Sequence, residues 1–492
     1  MTAPRTLLGL AIVAFGAGMG ALAALQHRAF ATGRFDLGNL TQAVWSTAHG
    51  DFLQTTSLQG RQISRLGAHF DPVVAALAPL WWLWPDPSLL LVVQSVAVAT
   101  GALPVFLLAR KHLGSEWAGL GFALVYLLYP PTQWLVLDDF HPVALATPLL
   151  LAAIWFLDEN RLLPFAVAAG LACLTKEHVG LAIAMLGIWH ALAHGRRRAG
   201  SVIALAGAAV AVVATVVIVP GYAPGKGSPF EGRYAAVGGS PLDVLETAVI
   251  HPVRVLEAAI EGRDLSYLKH LLLPLLGLPL LAPLAALSAL PEVALNLLSS
   301  TRTQTSIHFH YTAGAIPGLV AASVLGAARV QRRQAGARGL LPRVAVVAAV
   351  VSGVLLGPLP VWRHVPLGET LATRDHLVDE RQPARAAALR LIPAGTPVSA
   401  TNAFGAHLSE RRRIFSFPVL REARWAIVDE SRPSYRDRVH APAAFARALE
   451  RLRADPAWAV VFDEDGVVVL RRARSSLPGG LREGSSVARG RR

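Results

Sequence analysis

Long apolar runs dominate this chain and limit what it can fold into. Several stretches of roughly 18 or more apolar residues approach the about 20 residues that a helix needs to cross the hydrocarbon core of a bilayer. The chain of 492 residues is 53% hydrophobic and only 16% charged, whereas soluble domains carry about 25% charged residues. The sequence therefore predicts an all-α polytopic membrane protein.

About eleven transmembrane helices are predicted. The N-terminal apolar run is longer than the 7–15 residues of a signal-peptide core, so it is taken as an uncleaved first span. Residues 72–84 are too few to span and are predicted to lie in the interface, anchored by Trp81, Trp82 and Trp84. The spans are placed near 7–27, 88–109, 117–137, 141–157, 162–175, 179–194, 200–220, 267–284, 286–299, 311–328 and 343–361.

The net charge of +14 is concentrated in short clusters, which decide the orientation. With Arg5 in the cytoplasm, the clusters Arg110-Lys111, Arg196 to Arg198 and Arg329 to Arg343 also fall on the cytoplasmic side, as the positive-inside rule requires. No aromatic-basic motif accompanies them, so no nucleic-acid partner is expected. We predict a multi-pass plasma-membrane protein with a cytoplasmic N-terminus and membrane lipids as partners.

A change of composition after Trp362 indicates a second domain. Short strands are expected at 396–400 and 425–428, a helix at 443–453, and a hairpin across 458–470, which together predict a small soluble α/β domain outside the cytoplasm. The single cysteine, Cys173, excludes an intramolecular disulfide. The predicted parts are a transmembrane domain at 1–362 with a first external loop at 28–87, a connector at 363–384, the α/β domain at 385–472 and a disordered basic tail at 473–492.

Ionisable residues collect at the ends of spans on the predicted external side. Charged groups beside a bilayer are costly, so residues retained there are functional candidates. Asp36 is expected either to cap the helix that begins at Leu37 or to act as a general base toward a sugar hydroxyl. The candidates are Asp36, His69, Asp71, Asp138, Asp139, His141, Lys176, Glu177, His178, His308 and His310.

The other candidates also have structural alternatives. Asp71 before Pro72 is typical of a helix N-cap. The adjacent carboxylates of Asp138 and Asp139 repel each other unless a cation or proton intervenes, which favours a divalent metal or a cationic partner. Lys176 either pairs with the neighbouring Glu177 at the membrane surface or binds a phosphate. The segment with His308 and His310 is expected to be a solvated loop or a ligand-binding wall.

These motifs in combination resemble a family of bacterial and archaeal membrane proteins, domain of unknown function 2079, over about residues 30–430. The layout of that family is similar to the GT-C glycosyltransferases, which transfer a sugar from a polyprenyl-phosphate donor at the outer face of the membrane. The resemblance is carried by Phe35-Asp36-Leu37-Gly38 with Gln42 and Trp45, His69-Phe70, Gln94, Tyr129-Pro130, Asp139-Phe140-His141-Pro142, Lys176-Glu177, His407-Leu408-Ser409 and Phe417-Pro418.

The resemblance implies roles for particular residues. GT-C enzymes carry an acidic catalytic residue early in the first external loop, where Asp36 stands. Lys176, helped by His141 or His308, would then neutralise the departing lipid phosphate. Asp139 would bind a divalent metal or position the acceptor. His69 and Glu177 complete the expected substrate-binding set.

The sequence departs from the GT-C pattern in one respect, because the first loop has no Asp-Glu pair or Asp-x-Asp motif. The expected function is transfer of a sugar from a lipid-linked donor. A transporter or flippase for a lipid-linked or polar solute, or a non-catalytic scaffold, is the alternative. Transporters place ionisable residues near the bilayer midplane, whereas here they lie at the ends of the spans, which favours an enzyme.

Overall fold

The structure is a computed structural model that describes residues 2–223, 225, 231–239, 243, 246–247, 250–260, 262–334, 336, 338–368, 375–434, 437 and 442–473. The chain is mostly helical, and a small sheet lies near its C-terminus. Of the tail predicted to be disordered, only Ala473 is among the described residues.

In the described ranges the regular elements of the membrane part are helices, apart from one short hairpin. Their bounds are α1 (Ala3–Arg28), α2 (Asn39–Ala48), α3 (Ala78–Trp81), α4 (Ser88–Thr100), α5 (Ala102–Leu113), α6 (Glu116–Leu128), α7 (Pro130–Leu137), α8 (Ala146–Asp158), α9 (Leu162–Cys173), α10 (Val179–Ala193), α11 (Arg197–Val212), α12 (Val219–Tyr222), α13 (Pro252–Ala258), α14 (Gly262–Leu272), α15 (Pro283–Ala286), α16 (Leu290–Leu297), α17 (Ala315–Arg333) and α18 (Leu340–Leu356). The hairpin pairs β1 (Gln54–Thr56) with β2 (Gln62–Ser64).

Shorter helical segments join these helices. Two are π-helical, at Arg34–Gly38 and Val213–Ile218. The others are 3-10 turns at Arg65–Gly67, Pro72–Leu77, Pro142–Leu145, Glu231–Val237, Leu273–Leu275, Leu278–Leu281, Leu287–Ala289, His310–Thr312 and Pro360–His364. The π-helical turn at Arg34–Gly38 is important because it carries Asp36.

Three helical stretches of the described chain are long and apolar enough to cross a membrane, namely Ala3–Arg28, Ser88–Leu113 and Arg197–Tyr222. A fourth crossing results if α6 and α7, bent by 47°, form one span. Pro130 explains the bend, because proline has no amide to donate and keeps the preceding Tyr129 in an extended conformation. Most other predicted spans coincide with shorter apolar helices, so the total of eleven stays a prediction.

The predicted span at 267–284 is interrupted in the structure. Helix α14 ends at Leu272, and two 3-10 turns follow in place of further α-helix. Leu276 and Gly277 both have positive φ angles, of 55° and 65°, and prolines at 274 and 279 remove the amides that a continuous helix would need. The chain therefore turns here instead of crossing as one rod.

The interfacial segment is present as the 3-10 turn Pro72–Leu77 followed by α3. Trp82 and Trp84 are 68% and 43% exposed, as expected of interface anchors. Trp81 was wrongly predicted to be an anchor, because it is only 2% exposed and packs into the core of the first loop. This segment therefore offers the membrane only part of its aromatic surface.

The C-terminal region contains the strands, the helix and the hairpin expected from the sequence, and more. Its elements are α19 (Gln382–Arg390), β3 (Val398–Ala400), α20 (Asn402–His407), β4 (Ile414–Ser416), β5 (Trp425–Asp429), α21 (Pro442–Ala454), β6 (Trp458–Glu464) and β7 (Val467–Arg472). The sheet order is β4-β3-β5-β7-β6, with β3 parallel to β4 and β5 and the other pairs antiparallel. The sequence did not predict β4 or α20, both of which face the first loop.

The C-terminal domain is fastened to the first loop by a buried arginine. Arg34 is 1% exposed, and its guanidinium donates to the carbonyl of Thr56 in β1 and to the carbonyl of Ile414 and the hydroxyl of Ser416 in β4, at 2.7–2.8 Å. A buried guanidinium that loses such acceptors is left unsolvated and costly. The loop and the domain are thus held in one arrangement immediately before Asp36.

Candidate functional site

The candidate site is built around the turn at 138–141, between α7 and α8. Asp139 has a positive φ of 52°, which lets the chain reverse between two helices. Gln94 of α4 fixes this turn, because its side-chain amide donates to the carbonyl of Asp139 at 2.6 Å and its side-chain oxygen accepts the amide of His141 at 2.8 Å. The ionisable side chains of the turn are therefore held rigidly at the end of α8.

Asp36 reaches this turn from the first loop. Its Oδ1 lies 3.3 Å from Nε2 of His141, and its side chain is 37% exposed while that of His141 is 7% exposed. The predicted N-cap position for Asp36 is wrong, because Asp36 lies inside the π-helical turn Arg34–Gly38, whose N-cap is Gly33. The carboxylate therefore contacts a buried imidazole while part of its side chain is exposed to solvent.

The π-helical turn is held in place by α20 of the C-terminal domain. The side-chain oxygen of Asn402 accepts the amide of Phe35 at 3.0 Å. Gly33 and Gly38 allow the two elements to approach, since a Cβ at Gly33 would strike the Asn402 amide and one at Gly38 would lie 2.6 Å from the hydroxyl of Ser409. Asp36 therefore owes its position to contacts with a domain more than 360 residues away along the chain.

Asp138, His141 and His310 bring their donor atoms to one point. Nδ1 of His310 lies 2.9 Å from Oδ2 of Asp138 and Nδ1 of His141 lies 4.0 Å from the same oxygen. The two imidazole rings stack at 3.5 Å with planes 15° apart. The three donor atoms all lie within 4.8 Å of one another, which is close enough to hold a metal ion.

Two observations test whether a metal would fit these residues. Both ring nitrogens of His141 are buried and have no well-formed hydrogen bond within the described part of the chain. One carboxylate with two imidazoles is also a donor set that Zn²⁺ accepts. Asp139, which the sequence nominated as the metal ligand, is outside this group, and its Oδ2 accepts the amide of Gly33 at 2.9 Å.

Acidic groups crowd together at the turn. Burial, followed by the charge of Asp36, raises the pKa of Asp139 to about 8. Burial also raises the pKa of Asp138, to about 6. Burial would lower the pKa of His141, but the carboxylates of Asp36, Asp138 and Asp139 outweigh it and raise that pKa. Carboxylates crowded together in this way require a cation or a proton among them.

A second group of ionisable residues lies between the first loop and the turn at 176–178. Glu177 accepts from the amide of Phe70 at 3.1 Å, and its other oxygen lies 3.1 Å from Nδ1 of His69. His178 lies 2.6 Å from Oε2 of Glu292 in α16. The predicted pairing of Lys176 with Glu177 is absent, because Glu177 binds the first loop instead.

Lys176 itself has no hydrogen bond or ion pair within the described residues. Burial lowers the pKa of its ammonium although Glu177, Asp71 and Glu292 are near enough to raise it. Its positive charge also helps to lower the pKa of His310, after burial and His141. Lys176 is therefore a half-buried cation on the same side of the molecule as the Asp138 turn, with its donors unused.

Three other candidates have different surroundings from those expected. Asp71 does stand at the N-cap before Pro72, but its carboxylate makes no capping bond and instead pairs with Arg65 at 2.8 Å. His308 bonds the hydroxyl of Ser306 at 3.0 Å and sits edge-on to the ring of Trp134. The sequence assigned His308 to the phosphate site, whereas His310 is the histidine that lies beside Asp138 and His141.

The fold and the site together define a polytopic membrane protein with an ionisable centre at one end of its helices. Residues 26–469 match the sequence pattern of the family described as "predicted membrane protein (DUF2079)". The chain belongs to this family, as the motifs around Asp36, Asp139 and Lys176 indicated. No curated protein matches the chain.

Solved structures give the fold a relative. The crystal structure of ArnT from Cupriavidus metallidurans bound to undecaprenyl phosphate is similar with a TM-score of 0.51 and 15% identity, covering 98% of this chain and 100% of that one. The same protein in the apo state has 16% identity and a TM-score of 0.46 over 89% of this chain and 94% of its own. At this identity the first likeness shows a shared fold alone, and this ArnT-like fold agrees with the layout expected from the sequence.

Proposed function

We propose that this protein is a GT-C-type glycosyltransferase that moves a sugar from a polyprenyl-phosphate donor to an acceptor hydroxyl at the outer face of the plasma membrane. The observation that carries the proposal is the Asp36 carboxylate, which is 37% exposed and lies 3.3 Å from the buried His141 at the end of the helices. The ArnT-like fold supports a lipid-linked donor, since the ArnT structure contains undecaprenyl phosphate.

In the proposed reaction Asp36 accepts the proton of the acceptor hydroxyl while that oxygen bonds to the anomeric carbon of the sugar. The bond from this carbon to the phosphate oxygen breaks, and its electron pair leaves with the polyprenyl phosphate. His141 orients the carboxylate from its buried side, and the side chain of Asp36 is 37% exposed, so an acceptor can approach it. Asn402, whose side-chain oxygen accepts the amide of Phe35, holds the π-helical turn in position, so that Asp36 can reach the acceptor hydroxyl.

We further propose that Asp138, His141 and His310 hold a divalent metal. When bound, the ion supplies positive charge that offsets the charge growing on the departing phosphate. The crowding of Asp138 and Asp139 and the buried Nδ1 of His141, which has no hydrogen bond in the described residues, support this assignment. Asp139 takes a structural role in this scheme, through the amide of Gly33.

Lys176 is proposed to bind the donor phosphate. Its ammonium is half-buried and unpaired within the described residues, so a phosphate would gain a charge-assisted bond without displacing another partner. His69 and Glu177, which the sequence assigned to substrate binding, instead fasten the first loop to the turn beside Lys176. Their contribution is to fix the distance between the cation and Asp36.

The test is sugar transfer by the purified protein in lipid, with a panel of polyprenyl-phosphate sugars. Asp36→Asn keeps the side-chain volume but removes the basicity, and loss of a general base typically costs about 10²–10⁴ in rate. The matched control is Asp51→Asn in the same loop, where the carboxylate is exposed and pairs with Arg412 at 3.1 Å. It should transfer at the wild-type rate.

Two outcomes contradict the proposal. Full activity in Asp36→Asn would remove this residue as the base. Absence of transfer by the wild-type protein from every donor of the panel would rule out the glycosyltransferase and favour a transporter or scaffold.

A further inference from the structure

A cavity along one face of α1 lies outside the candidate site. It has a volume of about 460 Å³, within the range of about 300–1,000 Å³ that ligand pockets occupy. Its walls come from α1, the start of α4, the interfacial segment and α20 of the C-terminal domain. The lining residues are Ala17, Gly20, Ala21, Ala24, His27, Arg28, Trp84, Asp86, Ser88, Val92 and His407.

One end of this cavity is apolar and lies along a membrane-spanning helix. Ala17, Gly20, Ala21 and Ala24 recur at helical spacing on α1, so they form a shallow furrow on one face. Val92 of α4 closes the side of the furrow. Because α1 is long and apolar enough to cross a bilayer, the furrow is open to hydrocarbon, and an acyl chain is the occupant that matches it.

The other end is polar and lies where the helices leave the membrane. Arg28 is the last residue of α1 and is exposed, and its guanidinium has no hydrogen bond or ion pair within the described residues. Asp86 accepts the amide of Ser88 with Oδ1 at 2.7 Å, and its Oδ2 has no partner in the same ranges. Arg28 and Asp86 do not pair with each other, so both charges are available to a ligand.

Two stacked imidazoles form the floor between these charges. The rings of His27 and His407 lie 4.0 Å apart with planes at 16°. His27 is 4% exposed and uses Nδ1 on the hydroxyl of Thr32 at 2.7 Å, which leaves its Nε2 without a partner in the described chain. Nε2 of His407 is buried and also has no hydrogen bond there. Buried nitrogens without partners are costly unless a ligand or water satisfies them.

We propose that this cavity binds a zwitterionic aminophospholipid, with one acyl chain in the α1 furrow, the phosphate on Arg28 and the ammonium on Asp86. The indole of Trp84 marks the headgroup level. An anionic lipid without an amine would place its negative charge near Asp86 and leave that carboxylate without a cationic partner. The ammonium of an aminophospholipid instead pairs with Asp86. Burial and the charge of Asp86 raise the pKa of nearby Glu410 to about 7, so the surroundings of Asp86 also favour a cation.

The bound lipid would join three parts of the molecule, namely α1, the interfacial segment and the C-terminal domain. The lipid would therefore be retained through purification, independently of any sugar transfer. The proposal does not rest on the proposed function, because it uses none of the residues around Asp36.

The experiment is native mass spectrometry of the full-length protein, delipidated and then given phosphatidylethanolamine, phosphatidylcholine or phosphatidylglycerol. Wild type should retain one phosphatidylethanolamine about tenfold more strongly than the other two, since charge-assisted hydrogen bonds from the ammonium to Asp86 are unavailable to choline. Asp86→Asn should abolish that preference while phosphatidylcholine binding stays unchanged. Arg28→Gln should weaken retention of every lipid, whereas Arg161→Gln, an exposed arginine before α9, should not.

A third variant tests the furrow separately from the charges. Ala21→Trp places an indole on the exposed face of α1 and should prevent retention of all three lipids, with the melting temperature in detergent unchanged. Equal retention of the three lipids by wild type, or an unaltered preference in Asp86→Asn, would overturn the proposal. Displacement of phosphatidylethanolamine by undecaprenyl phosphate at equal concentration would reassign the cavity to the lipid-linked donor.

Discussion

Helix α8 has an ionisable cluster at each end, and the two clusters differ in how their charges are matched. At its C-terminal end the side chain of Asp158 is only 2% exposed. Its Oδ2 lies 2.7 Å from the ammonium of Lys111 and 2.9 Å from Nε2 of His112. At the other end, Asp138 and Asp139 contact histidines and backbone amides, and no lysine or arginine contacts these two carboxylates in the described residues.

The difference separates a structural cluster from a functional one. A buried carboxylate that contacts a permanent cation is already satisfied and has little to offer a ligand. Carboxylates that lack such a partner, beside imidazole nitrogens without hydrogen bonds, are stable only if something else supplies the charge. The comparison is therefore consistent with our proposal that the Asp138 end of α8 binds a ligand, whereas the ion pairs at the Asp158 end hold helices together.

The comparison requires that the two ends of α8 face different compartments, which gives an all-or-none prediction. Reporter fusions at Arg197, the first residue of α11 and three residues after the His194 that lies near Asp158, should report the cytoplasm. Fusions near Ser409, in the C-terminal domain, should report the outside. The basic clusters between spans are the physical reason. Reports from the same compartment for both sites would break the comparison and the predicted orientation together.

The next prediction concerns the metal. His310→Ala and Asp138→Asn each remove one donor and should lower the affinity for a divalent metal by at least about 100-fold, since even outer contacts of a metal site cost 10–100-fold. Calorimetry with Zn²⁺ and Mn²⁺ on the purified protein measures this. His308→Ala is the matched control, because this histidine bonds Ser306 and packs on Trp134. Equal affinities in all three variants would leave the Asp138 end without a metal.

Lys176 should have a smaller effect, and mainly on binding. Lys176→Ala removes a charged donor to the phosphate, which is worth about 10–100-fold in the KM for the lipid-linked donor. Lys269→Ala in α14 is the control, because this lysine is exposed. Steady-state kinetics at varied donor concentration separates KM from kcat. A change in kcat alone would argue against a ground-state contact between Lys176 and the donor.

The sequence was sufficient to predict several of the apolar helices and to place many ionisable residues at their ends. Apolar runs located α1, α4 with α5, and α8 to within a few residues, because burial in hydrocarbon permits few alternatives. Alternation and a glycine turn likewise predicted the β6–β7 hairpin. Breaks inside apolar runs were harder, since the positive φ angles at Leu276 and Gly277 depend on packing as well as on proline.

The site itself was predicted only in part. Asp36 and His141 were nominated from the sequence, and the structure brings them into contact. The sequence nominated His308 where the structure brings in His310, because the choice depends on which ring stacks on His141 across some 170 residues. The role of Asn402 left no local signal, since a single amide in a short helix has no pattern. Gly33 and Gly38, on either side of Asp36, were the one indication in the sequence that another part of the chain packs closely there.

The smallest effect is expected at the matched end of α8. Asp158→Asn removes the charge that Lys111 and His112 share, and the remaining amide still fills the space, so the loss of stability should be about 1–3 kcal/mol. Thermal unfolding in lipid nanodiscs measures it. Transfer per folded molecule should equal wild type, because Asp158 lies at the far end of α8, whose 13 residues extend about 20 Å at 1.5 Å per residue. Asp36→Asn should show the reverse, with stability kept and transfer lost. If Asp158→Asn instead lost transfer while staying folded, matched charge would no longer distinguish a structural cluster from a functional one in this protein.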